Sequence, residues 1–216
     1  MLEVISYYAN RGKEVQKQVE AISNLTERLE DSQAVDELMA IEGNIRDHYY
    51  QSFNAIIGKA EFDFQGRNRR PPRDRINALI SFGNTLAYMA VLSEIYKTHL
   101  DPRIGYLHTT NFRRFTLNLD VAEIFKPILV DRVIFSLLGR NMLRAGHFEN
   151  KTQSIIMNDK GRKIFVEEWE NKLRTTIKHR QLGREVSYRR IIRMDLYKLE
   201  KHLMGEKGFK PFVSRW

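Results

Sequence analysis

At 216 residues and 42% hydrophobic content, the chain is long enough for one sizeable core or two small ones. It has no cysteine, which excludes thiol catalysis, disulfides and thiolate metal sites. The net charge of +9 is uneven: residues 1–66 carry 6 Lys and Arg against 12 Asp and Glu, a net of −6, and residues 67–216 carry 30 against 15, a net of +15. That asymmetry points to a polyanionic partner for the second part.

The first 14 residues, MLEVISYYANRGKE, have no basic segment ahead of an apolar one, so no signal peptide is expected. Apolar runs such as ILVDRVIFSLL are broken by charge and short for a bilayer span, so no membrane partner is expected. The lack of cysteine fits a reducing cytoplasm. Residues 2–30 read as one helix, with Val15, Val19, Ile22, Leu25 and Leu29 recurring at helical spacing. Val35–Ile57 reads as a second, with Leu38, Ile41, Ile45, Tyr49, Phe53 and Ile56 on one face.

GKAEFDFQGRNRRPPRDR is a loop marked by Gly58, Gly66, Pro71 and Pro72, and Asp74 can cap the next helix, which runs to about Leu100. Asp101–Arg103 is a turn. Asn118–Gly146 reads as a long helix bent near Pro127. Residues 151–158 can form a short hairpin through SIIM. Asp159 caps a helix over Gly161–Arg180, a last helix covers Ser187–Met204, and the tail is irregular. The fold expected is all-α, a single multi-helix domain over 1–216 with at most a short hairpin near 151–158.

The densest chemistry lies in GYLHTTNFRRFTLNLDVAEIFKPILVD, residues 105–131. His108 precedes Asp120 by twelve residues, and Glu123 follows three later, so both carboxylates share a helix face. First-turn acids are favoured by the helix dipole alone, but Leu117, Leu119, Val121 and Ile124 surround these two with apolar residues. Acids in apolar company need partners, and a cation is one. Without cysteine, a metal here would be held by His, Asp or Glu, a set that favours Mg or Mn where carboxylates dominate. Glu42 stands in mid-helix beside Gly43, a glycine that costs about 0.8–1.0 kcal/mol relative to alanine. The pair reads either as an exposed acid beside a packing glycine or as a ligand with close backbone approach.

The arginines of RNRRPPRDR suit bidentate phosphate contact, presented by a loop that the prolines stiffen. A further basic tract spreads Lys172, Arg174, Lys178, Arg180, Arg184, Arg189, Arg190 and Arg193 over 172–193. Phosphate-backbone contact and ordinary solvated surface explain that tract equally well.

Four segments in order resemble the catalytic helical domain of the CRISPR-associated adaptation integrase, the nuclease of spacer acquisition: MAIEGNIRDHYYQSF, RRPPRDRINALISFGNTLAY, GYLHTTNFRRFTLNLDVAEIFKPILVDR and MNDKGRKIFVEEWE. The resemblance implies a divalent metal, Mg or Mn, on Glu42, His108 and Glu123, with Asp120 as a further active-site acid. Thr116 stands where serine is more usual, and Lys126 where arginine is. It also implies double-stranded DNA as substrate, both spacer precursor and repeat, with Arg69, Arg70, Arg73 and Arg113 as candidate phosphate contacts. A homodimer and a small ferredoxin-like adaptation protein are the implied protein partners. The family carries an N-terminal β-rich domain, whereas this chain starts at Met1 directly in a helix, which bears on dimer formation and docking. The reaction implied is attack of a DNA 3′-hydroxyl on a phosphodiester of the repeat. No covalent protein–DNA intermediate is required, so Tyr49 and Tyr50 are expected to pack beside the site. The competing readings are a non-catalytic basic DNA-binding module, or a fragment without full activity.

Overall fold

The structure is a computed structural model that describes residues 1–29, 32, 34–68, 71–106, 115–179 and 182–214. It is all-α apart from two short antiparallel hairpins among these residues. The chain divides into two compact units, one of Met1–Ser81, Ile134–Ile164 and the residues from Ser214, the other of Phe82–Val133 and Phe165–Val213.

In the first unit the expected N-terminal helix is two helices, α1 (Leu2–Ala9) and α2 (Gln16–Glu27). The break is at Gly12, whose φ of +78° no right-handed helix accommodates. Val15 and Ile22 of the expected stripe are buried. The second expected helix is α3 (Val35–Gln51) and α4 (Phe53–Ile57), interrupted at Ser52, whose hydroxyl donates to Tyr49 O at 2.6 Å. Such a side-chain bond competes with the helical ladder and bends it. Tyr49 and Phe53 are fully buried and meet edge-on at 5.4 Å, and Phe53 packs on Phe135 at 4.8 Å. Tyr49 is therefore a core aromatic on the helix that carries Glu42, with roughly 1.5–3 kcal/mol in burial, and Tyr50, half-buried, packs edge-on against Phe53 and Phe64.

Asp74 caps α5 (Arg75–Ile95) as expected, accepting the Asn77 N–H at 2.7 Å. By length and composition α5 could cross a membrane, unlike the runs noted above, but half of that stretch is buried inside the protein, with Ile76, Leu79, Ile80 and Ile95 at 0% exposure. The expected hairpin is present as β1 (Phe148–Lys151) and β2 (Ser154–Met157), paired Phe148 to Met157 and Lys151 to Ser154. It starts earlier than expected because FENK, with little strand character, is recruited by SIIM.

In the second unit α6 (Leu117–Lys126) runs into a π-helical turn, Pro127–Asp131, and α7 (Arg132–Gly139) follows, belonging to the first unit from Ile134 on. Pro127 has no N–H to give the α-register, so the chain opens to the wider turn there. The expected continuation to Gly146 fails at Asn141, which takes φ +56° to close a turn. α8 (Asp159–Arg174) is capped by Asn158, not Asp159: its Oδ1 accepts the Gly161 N–H at 2.9 Å.

The expected helix to Arg180 is the largest correction. The chain leaves α8 at Arg174 and forms a second hairpin, β3 (Thr176–His179) and β4 (Arg184–Ser187), with Ile177 opposite the buried Val186. β-Branched residues and Gly183, at φ +62°, outweigh the helical charge pattern. Ser187 then caps α9 (Tyr188–Leu203), accepting the Arg190 N–H. Glu94 of α5, wholly buried, holds Lys97 at 2.7 Å and Arg193 of α9 at 2.6 Å. The irregular tail returns to α9, where buried Asp195 accepts the Phe212 N–H at 2.6 Å and Phe212 stacks on Phe125 of α6 at 6.2 Å.

Candidate active site

Asp120 and Glu123 sit one turn apart on α6, as the spacing requires. Their surroundings separate them. Asp120 Oδ2 accepts the Tyr106 N–H at 2.6 Å. At the same place Thr116 donates to Arg103 O at 2.7 Å, and the Thr116 and Leu117 N–H groups donate to Pro102 O. The start of α6 therefore grips the irregular segment 102–106, which precedes His108 in the chain. Gly105 makes that grip possible: a Cβ there would stand 2.8 Å from both Asp120 Oδ2 and Thr116 Oγ1. His108 itself lies outside the described residues.

Glu123 pairs with Lys126 one turn on, and their side chains are 24% and 12% exposed. Lys126 also donates to the Tyr88 hydroxyl at 2.7 Å and lies over the Tyr88 ring at 4.6 Å. Tyr88 thus sets the position of the cation that balances Glu123. Glu42 has the same arrangement in the other unit, pairing with Arg46 at i+4 on α3. Its side chain is 41% exposed. A Cβ on Gly43 would meet nothing within 4 Å, so Gly43 is not a packing glycine; the backbone beside Glu42 is open. Among the described residues no three His, Asp or Glu side chains gather as a ready metal cluster. The carboxylates of Glu42 and Glu123 are each accessible hard oxygen donors with a basic neighbour, the donor type that suits Mg or Mn.

Arg69, Arg70 and Arg113 also lie outside the described residues. Arg73 is exposed, and its N–H donates to Asn68 Oδ1 at 2.9 Å. What shapes this loop is a residue the sequence reading passed over, Asn77, which is completely buried. Its Oδ1 accepts from Arg67 Nη1 at 2.7 Å and from the Asn68 N–H at 3.0 Å, while its Nδ2 donates to Gly66 O at 2.9 Å and to Asp74. A polar residue in the first turn of an apolar helix, directly after an arginine loop, was the available signal. Asn77→Ala strands several buried groups at once and is expected to cost about 2–3 kcal/mol. A thermal melt unchanged from wild type would show that the network carries no such weight.

The basic tract over 172–193 is sorted by the fold. Arg193 holds Glu94, and Arg189 meets both oxygens of Glu170 at 3.2 Å. Lys172 lies over the Tyr188 ring at 4.8 Å, and burial, with Arg132 nearby, lowers its pKa to about 8. Arg174, Lys178, Arg184 and Arg190 are exposed.

Known proteins resemble this chain along nearly its whole length. Residues 1–171 match the family described as CRISPR associated protein Cas1. A CRISPR-associated endonuclease Cas1 of Thermodesulfovibrio yellowstonii is 58% identical over 214 residues, 99% of this chain and 65% of that protein. The solved structure of a CAS1 protein from Thermotoga maritima superposes with a TM-score of 0.84 at 42% identity, covering 98% of this chain and 64% of that one. A casposase bound to its integration product shares the fold at TM-score 0.81 and 21% identity, over 94% of this chain and 60% of that one. The chain thus spans about 65% of the length of the curated relative from Thermodesulfovibrio. With a family match over most of its length and close relatives along the whole of it, the chain belongs to the Cas1 family of CRISPR-associated proteins.

Proposed function

We propose that this chain is the catalytic part of a divalent-metal-dependent DNA endonuclease and integrase of CRISPR adaptation, joining spacer DNA to the repeat. The observation that carries this is the α6 pair: Glu123 accessible and charge-balanced by Lys126, and Asp120 bonded to the backbone at Tyr106, two residues before His108 in the chain. Relatives named CRISPR-associated endonucleases, 58% and 47% identical, support the same reading.

Glu42, His108 and Glu123 are the proposed ligands of Mg or Mn. When bound, that ion supplies charge stabilisation at the phosphate and helps ionise the attacking hydroxyl. The 3′-hydroxyl oxygen forms a bond to phosphorus, the bond to the repeat's own 3′-oxygen breaks, and the proton of the attacking hydroxyl passes to solvent as the leaving oxygen gains one. Water in place of the 3′-hydroxyl gives endonuclease cleavage. Asp120 acts as an orienting acid, because one of its oxygens is already committed to Tyr106 N–H. Arg69, Arg70, Arg73 and Arg113 are proposed to hold DNA phosphates. The partners proposed are double-stranded DNA, a second copy of the chain and the small ferredoxin-like adaptation protein; one structural neighbour of the same fold is a Cas6-RT-Cas1–Cas2 complex.

The test is a DNA cleavage and strand-transfer assay in Mg or Mn, wild type against His108→Ala. Loss of both activities in the variant is expected. Equal activity in the two proteins would end the metal-site reading, and absence of activity in wild type beside salt-sensitive DNA binding would favour a non-catalytic DNA-binding module.

A further inference from the structure

The cation beside Glu123 is confined more closely than a surface ion pair requires. Lys126 lies one turn on from Glu123, and its side chain is 12% exposed. An ammonium so covered has given up most of its water. Three contacts offset the loss: the Glu123 carboxylate, the Tyr88 hydroxyl at 2.7 Å and the face of the Tyr88 ring at 4.6 Å. Tyr88 is itself fixed. It lies half-buried on α5, and buried Asn118, in the first turn of α6, donates to its backbone carbonyl at 3.4 Å. α6 thus holds Tyr88 at both ends, through the backbone by Asn118 and through the hydroxyl by Lys126.

A lysine on a carboxylate ordinarily loses side-chain entropy, which is why exposed pairs persist weakly. Tyr88 confines this ammonium in advance, so it stays where a free lysine would exchange with water. Glu123 therefore has a resident cation. Glu42, in the other unit, is paired likewise with Arg46. A divalent ion and an ammonium cannot share one carboxylate oxygen without strong repulsion in a partly covered site.

We propose that Lys126 is a competing cation that sets how tightly Glu123 takes a divalent metal ion, and that Tyr88 is a positioning residue acting through it. The proposal rests on the reading of Glu123 as a metal ligand and deepens it by naming what opposes metal loading. For an ion to take the carboxylate, the ammonium has to leave it, and the same repulsion drives it from the Tyr88 hydroxyl. The apparent metal affinity is the intrinsic one reduced by the fraction of molecules in which Glu123 is not held. Weakening either contact of Lys126 therefore tightens metal binding.

The experiment is a titration of the DNA-free protein with Mn(II), followed by the EPR signal of the free ion, with a thermal melt of each variant. Lys126→Met, which keeps the length of the side chain without its charge, is expected to lower the Kd for Mn(II) by about tenfold. Tyr88→Phe, which keeps the ring, is expected to lower it by about threefold. In the Lys126→Met background Tyr88→Phe is expected to change nothing, because its effect passes through the lysine. Glu123→Gln is expected to raise the Kd. A Kd unchanged or raised in Lys126→Met, beside a raised Kd in Glu123→Gln, overturns the proposal and leaves Glu123 a ligand. A Tyr88→Phe effect that is absent, or that survives undiminished in the Lys126→Met background, overturns the role given to Tyr88. A Kd that Glu123→Gln does not move overturns the ligand reading, and the proposal with it. Where the melt shows Lys126→Met unfolded, Tyr88→Phe alone decides, and a Kd no lower than wild type overturns the proposal.

Discussion

Glu123→Gln is expected to abolish most cleavage and strand transfer, by roughly 10²–10³-fold or more, while leaving the fold intact. The two halves of that expectation come from different parts of the structure. Glutamine keeps the shape of the side chain and an oxygen that accepts from Lys126, and Lys126 keeps its bond to the Tyr88 hydroxyl. The pair is partly exposed, so its own contribution to stability is small, about 0–1 kcal/mol. What glutamine lacks is the formal charge that a hard divalent ion requires of its oxygen donors. Thermal unfolding within a few degrees of wild type, alongside lost activity in Mg and Mn, is the expected pattern. Activity near wild type would sink the assignment of Glu123 as a ligand. Lost activity with a collapsed melting temperature would instead make Glu123 structural.

Glu94→Ala is expected to have the opposite signature and the larger effect on stability. Glu94 is wholly buried and holds both Lys97 and Arg193. Its removal leaves the Arg193 guanidinium, itself largely covered, without its anion. Breaking such a pair from one side costs about 3–5 kcal/mol, or roughly 10 °C in Tm for a chain of this size. Burial alone would raise the Glu94 pKa, but the hydrogen bonds and charges of Arg193 and Lys97 outweigh it and hold the carboxyl below its ordinary 4.5. A depressed acid stabilises the fold above that value, and its contribution fades as pH falls through the lowered pKa. Wild type should therefore lose part of its advantage over Glu94→Ala as pH falls below 4.5. Asp195 runs the other way: burial raises its pKa despite Lys198 and the Phe212 N–H, so its charged form is a cost that grows as pH rises. Denaturant melts of Glu94→Ala and wild type across pH 3–7 test the sign, and a constant gap would refute it.

Most helices were legible because their signals are local. Asp74, Ser187 and the apolar stripes of α3 and α9 mark their own elements, and the hairpin at SIIM stands out against charged neighbours. The misreadings occurred where a single backbone angle or one hydrogen bond overrides a periodic pattern. Gly12 splits the first helix and Asn141 stops α7. In 175–187, charges at helical spacing disguised a ribbon that Val186 anchors by its burial.

The candidate site divides the same way. Sequence by itself determined the family resemblance, the spacing that stacks Asp120 over Glu123, and the excess of positive charge after residue 66, because each depends only on residue type and order along the chain. Tertiary structure decided which groups are already engaged. It gave Asp120 to the Tyr106 N–H and Glu123 to a lysine held by Tyr88. It buried Asn77 beneath the arginine loop, and it spent Arg189 and Arg193 on acids while leaving the cations around β3 and β4 exposed. Those outcomes depend on which residues distant in the chain meet in space, and a carboxylate or guanidinium has no chemistry of its own until its partner is known.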